Sequence, residues 1–346
     1  MSEVEITSNG LIYGGWKSAT ITRSIETLCG AFSLSVSDTW DEASSWTLRE
    51  GDPAEIKIDG QIVITGFIDK RAVSISATSH SVTIEGRDAA ADLVDTPVRL
   101  TAWEYLKVKP SQILDAVAEY FQISVLPAEG VTLPDSTIDK FSINPGETGF
   151  AVIDRFARLF GVLPVSDGKG AIRLIRPGVT RAPVSLEEGR NIKEAKASYD
   201  QKSRFYSYTV LGQQRGSEKV RKNANQVEGV AFDLNMSRRN RTMILQSENA
   251  ITPEQATARA QWESDVRAAR AERVSVTVQG WTEGGYLWTP GELVPVRAKT
   301  LGINGDMVIA SVSASKGTNR GEETELELTR PDAYKAAPEE DRAWKE

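Results

Sequence analysis

Ile56-Lys57-Ile58-Asp59-Gly60-Gln61-Ile62-Val63-Ile64 is the stretch that decides the fold class of this chain. Apolar residues alternate with polar ones around Asp59-Gly60, the period of a half-buried strand. Asp-Gly between two such runs marks a tight hairpin, because both turn residues take positive φ and these two types tolerate it. Working outward, Phe32, Leu34 and Val36 alternate with Ser33, Ser35 and Ser37, and Val73–Ala77 and Val82–Glu85 keep period two. Residues 1–98 therefore read as an antiparallel β module, a barrel or a sandwich, since short strands between turn signals favour closure.

The same features return near the other end of the chain. Phe32–Trp40 (FSLSVSDTW) resembles Val274–Trp281 (VSVTVQGW), and Gly51 ahead of Ile56 and Ile58 resembles Gly291 ahead of Val294 and Val296. Asp59-Gly60 resembles Asn304-Gly305 before Val308, and Val82–Asp88 resembles Leu326–Asp332. Each match alone is weak; four in one order indicate a duplicated module. Between the copies the period changes to that of a helix. Ile113, Leu114, Val117 and Phe121 share one face, as do Phe150, Ile153, Ala157 and Phe160, and each run leads into a short apolar strand. Residues 99–188 read as a small α+β domain. The second β module then spans 189–332, interrupted by 213–272: a basic loop region followed by the longest helix, expected to pack with the α+β domain. Thr252, Pro253 and Gln255 give that helix an N-cap, a first-turn proline and a capping box. Residues 333–346 read as a polar tail. The fold expected is α+β and mostly β, with two similar antiparallel β-barrel-like domains and a smaller α+β domain between and beside them.

The scarce residues exclude whole classes of function. The 346 residues include one His and one Cys. A multi-histidine metal site, a Cys-based zinc site and an internal disulfide are all ruled out within one chain. With 41 Lys+Arg against 48 Asp+Glu the net charge is −7, unlike the basic footprint of a general nucleic-acid binder. No apolar run is long enough to span a membrane, and Met1–Gly10 lacks the basic start and apolar core of a secretory signal. No phosphate-binding loop and no Gly-x-Ser-x-Gly elbow occur. His80, in Ser79-His80-Ser81, reads as a solvated turn residue rather than a general base. Cys29 reads as a packing thiol without a basic partner. Asp115 and Asp154 recur in the two helical runs but fit solvated faces better than a catalytic pair. No cofactor and no metal are expected.

Two sets of residues point to contacts instead. Thr20, Ile21, Thr22, Arg23 and Ser24, with Tyr206, Ser207, Tyr208, Thr209 and Val210, have strand patterning beside module boundaries, and are the expected subunit edges. Arg215, Lys219, Arg221, Lys222, Arg238, Arg239 and Arg241 outnumber Glu218, Glu228 and Asp233 over 213–243, which suits an acidic partner or a neighbouring subunit as well as it suits a solvated loop.

Several segments also resemble a known family. Trp16–Glu26 (WKSATITRSIE), Gly60–Asp69 (GQIVITGFID), Gly86-Arg87-Asp88 with Ala91–Asp95 (ADLVD), Tyr208–Gly212 (YTVLG), the Ala/Arg-rich stretch 252–272, and Gly280-Trp281 with Leu287–Pro290 (LWTP) are similar, in this order, to the baseplate hub proteins of Mu-like contractile-tailed phages, the late-control tail protein group. The resemblance implies a homotrimer at the baseplate centre, assembled in the host cytoplasm and carried in the virion. Each subunit would supply two tube domains, so that three make six similar modules, matching a six-fold tail tube above and a trimeric spike below. It also implies a structural protein with no catalytic step, no membrane insertion and no specific nucleic-acid binding, DNA only passing through the channel. Two rival readings are a tail-tip cell-wall glycosidase and the equivalent hub of a related injection or secretion machine.

Overall fold

Asp59 and Gly60 take φ of 49° and 76°, and the hairpin they close pairs Ile58 with Gln61. A computed structural model describes residues 3–37, 47–76, 80–133, 137–213, 226–317 and 321–338. The first module contains β1 (Val4–Ser8), β2 (Leu11–Tyr13), β3 (Ser18–Ser24), β4 (Ala31–Ser37), β5 (Pro53–Ile58), β6 (Gln61–Ile75) and β7 (His80–Asp88). They pair antiparallel in the order β3-β4-β7-β6-β5-β1-β2. Period two sends Ile6, Ile21, Leu34, Ile56, Ile64 and Ile84 into one core.

The α+β unit follows: α1 (Ala91–Asp95), β8 (Glu104–Val108), α2 (Pro110–Phe121), β9 (Ser124–Pro127), β10 (Ile138–Ser142), α3 (Gly149–Phe160), β11 (Leu163–Ser166) and β12 (Ala171–Ile175). Both longer helices end on a left-handed residue, Gln122 and Gly161, which turns the chain back into a strand. The two strands flank β12, β9 parallel and β11 antiparallel. Ala90, Leu93 and Val98 sit in the core of this unit with Ile113, Val152 and Phe156. The expected division at residue 98 therefore moves back to about the end of β7, because residues 89–98 bury their apolar side chains against the helices.

The second module has β13 (Leu186–Glu187) and β14 (Ile192–Tyr199). After an insertion come β18 (Glu272–Gln279), the two-residue strands β19 (Thr282–Glu283) and β20 (Tyr286–Leu287), then β21 (Leu293–Ala298), β22 (Ile303–Gly317) and β23 (Gly321–Thr329). The order β14-β18-β23-β22-β21-β13 repeats β3-β4-β7-β6-β5-β1, with one difference at its end: β13 joins β21 parallel, where β1 joins β5 antiparallel. The copies agree in detail: β6 and β22 each bulge midway, after Ile68 and after Ile309. Gly51 N donates to Ile68 O and Gly291 N to Ile309 O, both at 2.8 Å. One expectation fails. Asn304-Gly305 lies within β22 opposite Arg297 and Val296. The turn is earlier, at a 3-10 turn over Lys299–Leu301 closed by Gly302 at φ 71°.

The insertion is a unit of its own. β15 (Ser207–Gln213), β16 (Gln226–Phe232) and β17 (Thr242–Ala250) form a sheet in the order β16-β15-β17, and α4 (Pro253–Arg270) lies on it. Ala256 and Ala260 pack on Tyr208, Val210, Val227 and Ala231. The helix thus packs on the inserted sheet and not with the α+β domain, and 226–232 and 242–250 are strands. Among the described residues this leaves the basic loop only as the 233–241 connection that carries Arg238, Arg239 and Arg241. Small residues on both surfaces let helix and sheet approach closely. Glu263 is buried on α4 between Arg259 (2.9 Å) and Arg267 (2.8 Å). The start of the tail docks on the same helix: Trp262 Nε1 donates to Lys335 O at 2.8 Å.

Candidate assembly interface

The duplicated strands are joined into one sheet. β3 pairs antiparallel with β22, from Ser311 opposite Ser24 to Lys316 opposite Ala19. Eight strands, β14-β18-β23-β22-β3-β4-β7-β6, thereby form a continuous band. Alternation gives the band two faces. One is the apolar core; the other is polar across its width. A single row runs Gln279, Glu323, Ser315, Thr20, Ser33, Glu85, Lys70, seven polar side chains on seven successive strands. The serines between apolar residues in the sequence are this face.

Both expected subunit edges turn out to be interior. Thr20–Ser24 lies in β3, whose backbone is paired on one side with β4 and on the other with β22. It joins the two modules of one chain and offers no strand edge. Its side chains reinforce that junction. Thr22 Oγ1 meets Ser313 Oγ at 3.3 Å, Ser24 Oγ donates to Ala310 O at 3.1 Å, and Arg23 Nη2 donates to Trp288 O at 2.6 Å. Ile21 is in the first core. Burial lowers the Arg23 guanidinium to about 10, with Tyr286 and Glu292 opposing the shift. Tyr206–Val210 fares the same. Ser207–Val210 belong to the central strand of the inserted sheet, with Tyr208 and Val210 buried beneath α4 and Thr209 between Val230 and Ile244. The Tyr206 ring packs on Phe232 and under Arg239. Strand patterning locates strands but does not tell an edge from an interior, since that depends on which distant strand arrives.

The open backbone edges of the band are its ends. Among the described residues, β14 pairs only with β18, and the second half of β6, Lys70–Ile75, pairs only with β7.

Of the basic set, Arg215, Lys219, Arg221 and Lys222 lie outside the described residues. Arg241 is structural: it donates to the carbonyls of Arg204 and Lys202 and stacks on Phe205. Arg238 and Arg239 are exposed, the latter over Tyr206. Cys29 is half-buried, its thiol pushed up to about 12, mainly by burial and by Asp88. His80 is the first residue of β7, opposite Ile75. Asp115 is exposed, and Asp154 pairs with Arg158 at 2.6 Å.

Where the two modules and the α+β unit meet, a cavity of about 220 Å³ is lined by Arg23, Gly30, Asp88, Asp167, Arg173 and Glu292 among others. Asp88 is buried at the end of β7 and accepts hydrogen bonds from Gly30 N (2.5 Å) and Ala90 N (2.9 Å). Burial raises its carboxyl to about 6, against the opposing hydrogen bonds. A folded-state value above the ordinary 3.8 means the fold holds this proton more tightly than the unfolded chain does. The contribution of Asp88 to stability is thus most favourable below about pH 4, declines up to about pH 6, and is flat above. Relative to Asp88→Asn, the native protein is expected to lose about 2 kcal/mol between pH 4 and 6.5. Parallel urea unfolding of both proteins checks this; a difference that is flat or grows with pH overturns the assignment.

Family models match the chain in order. The N-terminal domain of Mu phage baseplate assembly protein GpP-like matches residues 3–88. The second domain of baseplate hub protein gp44-like matches 90–176, and the fourth domain of Mu phage baseplate assembly protein GpP matches 252–337. The baseplate hub protein gp44 of Escherichia phage Mu is 29% identical over 98% of this chain and 90% of its own length. The 43 kDa tail protein of prophage MuSo2 from Shewanella oneidensis is 30% identical, with a TM-score of 0.82 over 96% of this chain and 99% of that one. A type VI secretion component of E. coli, described as similar to the phage T4 tail proteins gp27 and gp5, shares the fold at 9% identity, with a TM-score of 0.59 over 96% of this chain and 79% of that one. With its modules in the family's order and nearly its whole length covered by these relatives, the chain belongs to the baseplate hub proteins of Mu-like phages, structural components of the virion tail.

Proposed function

We propose that three copies of this chain form the ring at the centre of the baseplate, joining the tail tube on one side to a trimeric spike on the other. The duplicated module carries this reading. Two equivalent β modules follow one another in one sheet through β22·β3, head to tail. A head-to-tail junction leaves a complementary open edge at each end, so repetition must either close a ring or make a filament. Three chains supply six similar modules, which is what a six-fold tube needs from a three-fold support. The ring acts by geometry: it adapts one symmetry to another, and its channel opens when the spike leaves. No bond is made or broken. Assembly takes place in the host cytoplasm, before the baseplate is complete.

Light scattering after size exclusion tests the ring. The mass expected is three times the 37.8 kDa of one chain. A chain that stays monomeric at high concentration, alone and with its tube and spike partners, overturns the reading.

A further inference from the structure

We propose that the two open ends of the band, Lys70–Ile75 on β6 and Ala195–Asp200 at β14, pair with each other between neighbouring copies, antiparallel, with Val73 opposite Ala197. This inference rests on the ring proposed above and gives it a register.

The register follows from the internal junction. The matched bulges make Ile68 of β6 equivalent to Ile309 of β22, and Lys70 equivalent to Ser311. On the other side, Leu34 of β4 matches Val276 of β18, so Ala19 and Ile21, which flank the first module, match Ala195 and Ala197. Within the chain Ala314 faces Ile21 and Lys316 faces Ala19. Substituting equivalents gives Val73 facing Ala197 and Ile75 facing Ala195. The same step puts Arg71 opposite Tyr199 and Lys70 opposite Asp200.

The chemistry of those positions agrees. Val73 and Ile75 are 51% and 63% exposed, on a strand whose outer backbone edge is unpaired among the described residues. Their internal counterpart is buried: Ala314 is 3% exposed and Ile21 2%. Apolar residues on an open edge invite uncontrolled pairing, and coverage by a designated partner removes that hazard. Ala195 and Ala197 are small and half-buried, and leave room for Val73 and Ile75. At one end Lys70, already 3.1 Å from Glu85, gains a second carboxylate in Asp200. Opposite charges facing across strands favour a pair, so this end also opposes a one-residue slip. The open edges of β2 and β17 have no such template, because neither matches a strand at the internal junction.

Cysteines at Val73→Cys and Ala197→Cys test the register. Directly opposed residues have Cβ atoms about 5 Å apart, close enough to bridge after a small adjustment. A bridge within one chain is excluded, since seven strand spacings of about 4.8 Å separate β6 from β14 along the band. Cys29 stays out of the chemistry because its thiol is pushed up to about 12. Mild oxidation of the double variant is expected to give covalent dimers and trimers on a non-reducing denaturing gel, and either single variant none. A trimeric mass without cross-links overturns this pairing and leaves the ring standing; a monomeric mass without cross-links overturns both. On the unaltered protein, amide exchange at 70–75 and 195–199 should slow at least tenfold as concentration drives assembly. Unchanged exchange there in a demonstrated trimer also rejects the proposal.

Discussion

Trp281→Ala is expected to destabilise the paired β modules by about 4 kcal/mol, the upper part of the range for truncating a buried aromatic. Trp281 belongs in sequence to the second module, directly after β18, yet its ring is 1% exposed in the core of the first, with Ile21, Leu34 and Ala314. Its indole Nε1 donates to Ser315 O at 2.9 Å, on the strand that joins the modules. Truncation opens a cavity and removes a tie across the junction, so thermal unfolding should split into two transitions. Trp288 provides the comparison. It is 0% exposed in the second core, but its Nε1 has no partner among the described atoms. Trp288→Phe should therefore cost little beyond lost volume, whereas Trp281→Phe should cost about 1 kcal/mol more for the missing hydrogen bond. Equal effects in the two phenylalanine variants, measured by urea unfolding, would contradict this assignment.

Gly229→Ala is expected to cost about 3 kcal/mol or more and to release α4 from its sheet. A Cβ on Gly229 would stand 2.2 Å from Ala256 C and Thr257 N, both backbone atoms. No side-chain rotation relieves that overlap; the helix itself must move. Its start is fixed by the capping box, in which Thr252 N donates to Gln255 Oε1 at 2.6 Å and Gln255 N to Thr252 Oγ1 at 3.3 Å. Limited proteolysis should then cut within 226–270 while the β modules survive. Gly305→Ala is the control, because nothing lies within 4 Å of the position its Cβ would take. Resistance of Gly229→Ala equal to that of Gly305→Ala would show that the contact carries no weight.

These sites also show what the sequence makes legible. Asp59-Gly60 could be read because the turn chemistry is local: two residues, two positive φ values. Asn304-Gly305 misled because the same dipeptide can lie in a strand when a left-handed Gly302 has already made the turn. The strands over 226–250 were hidden by an inverted pattern. The face of β16 beneath α4 carries Val227, Gly229 and Ala231, while Val230 and Phe232 point outward with Ile244 of β17. Close helix packing selects small residues on the covered face, so hydrophobicity does not mark the inside. The duplication was legible because alternation, glycine position and order all repeat. The junction it creates was not, since β3 and β22 meet across nearly the whole chain length. The resemblance to phage hubs supplied the function; nothing local in the residues names it.

Peptide linkage makes β3 and β22 partners of a different kind from strands on separate molecules. Ends tethered in one chain meet at an effective concentration in the millimolar range, whatever the cellular level of the protein. A tethered contact can therefore be weak and still be always made, and β3·β22 faces its polar side with hydroxyls such as Thr22 and Ser313. Gene fusion in this sense divides the labour of assembly. In the ring of six modules proposed above, half of the contacts would come with translation, and only the remaining half would respond to dilution, salt or the arrival of other tail components.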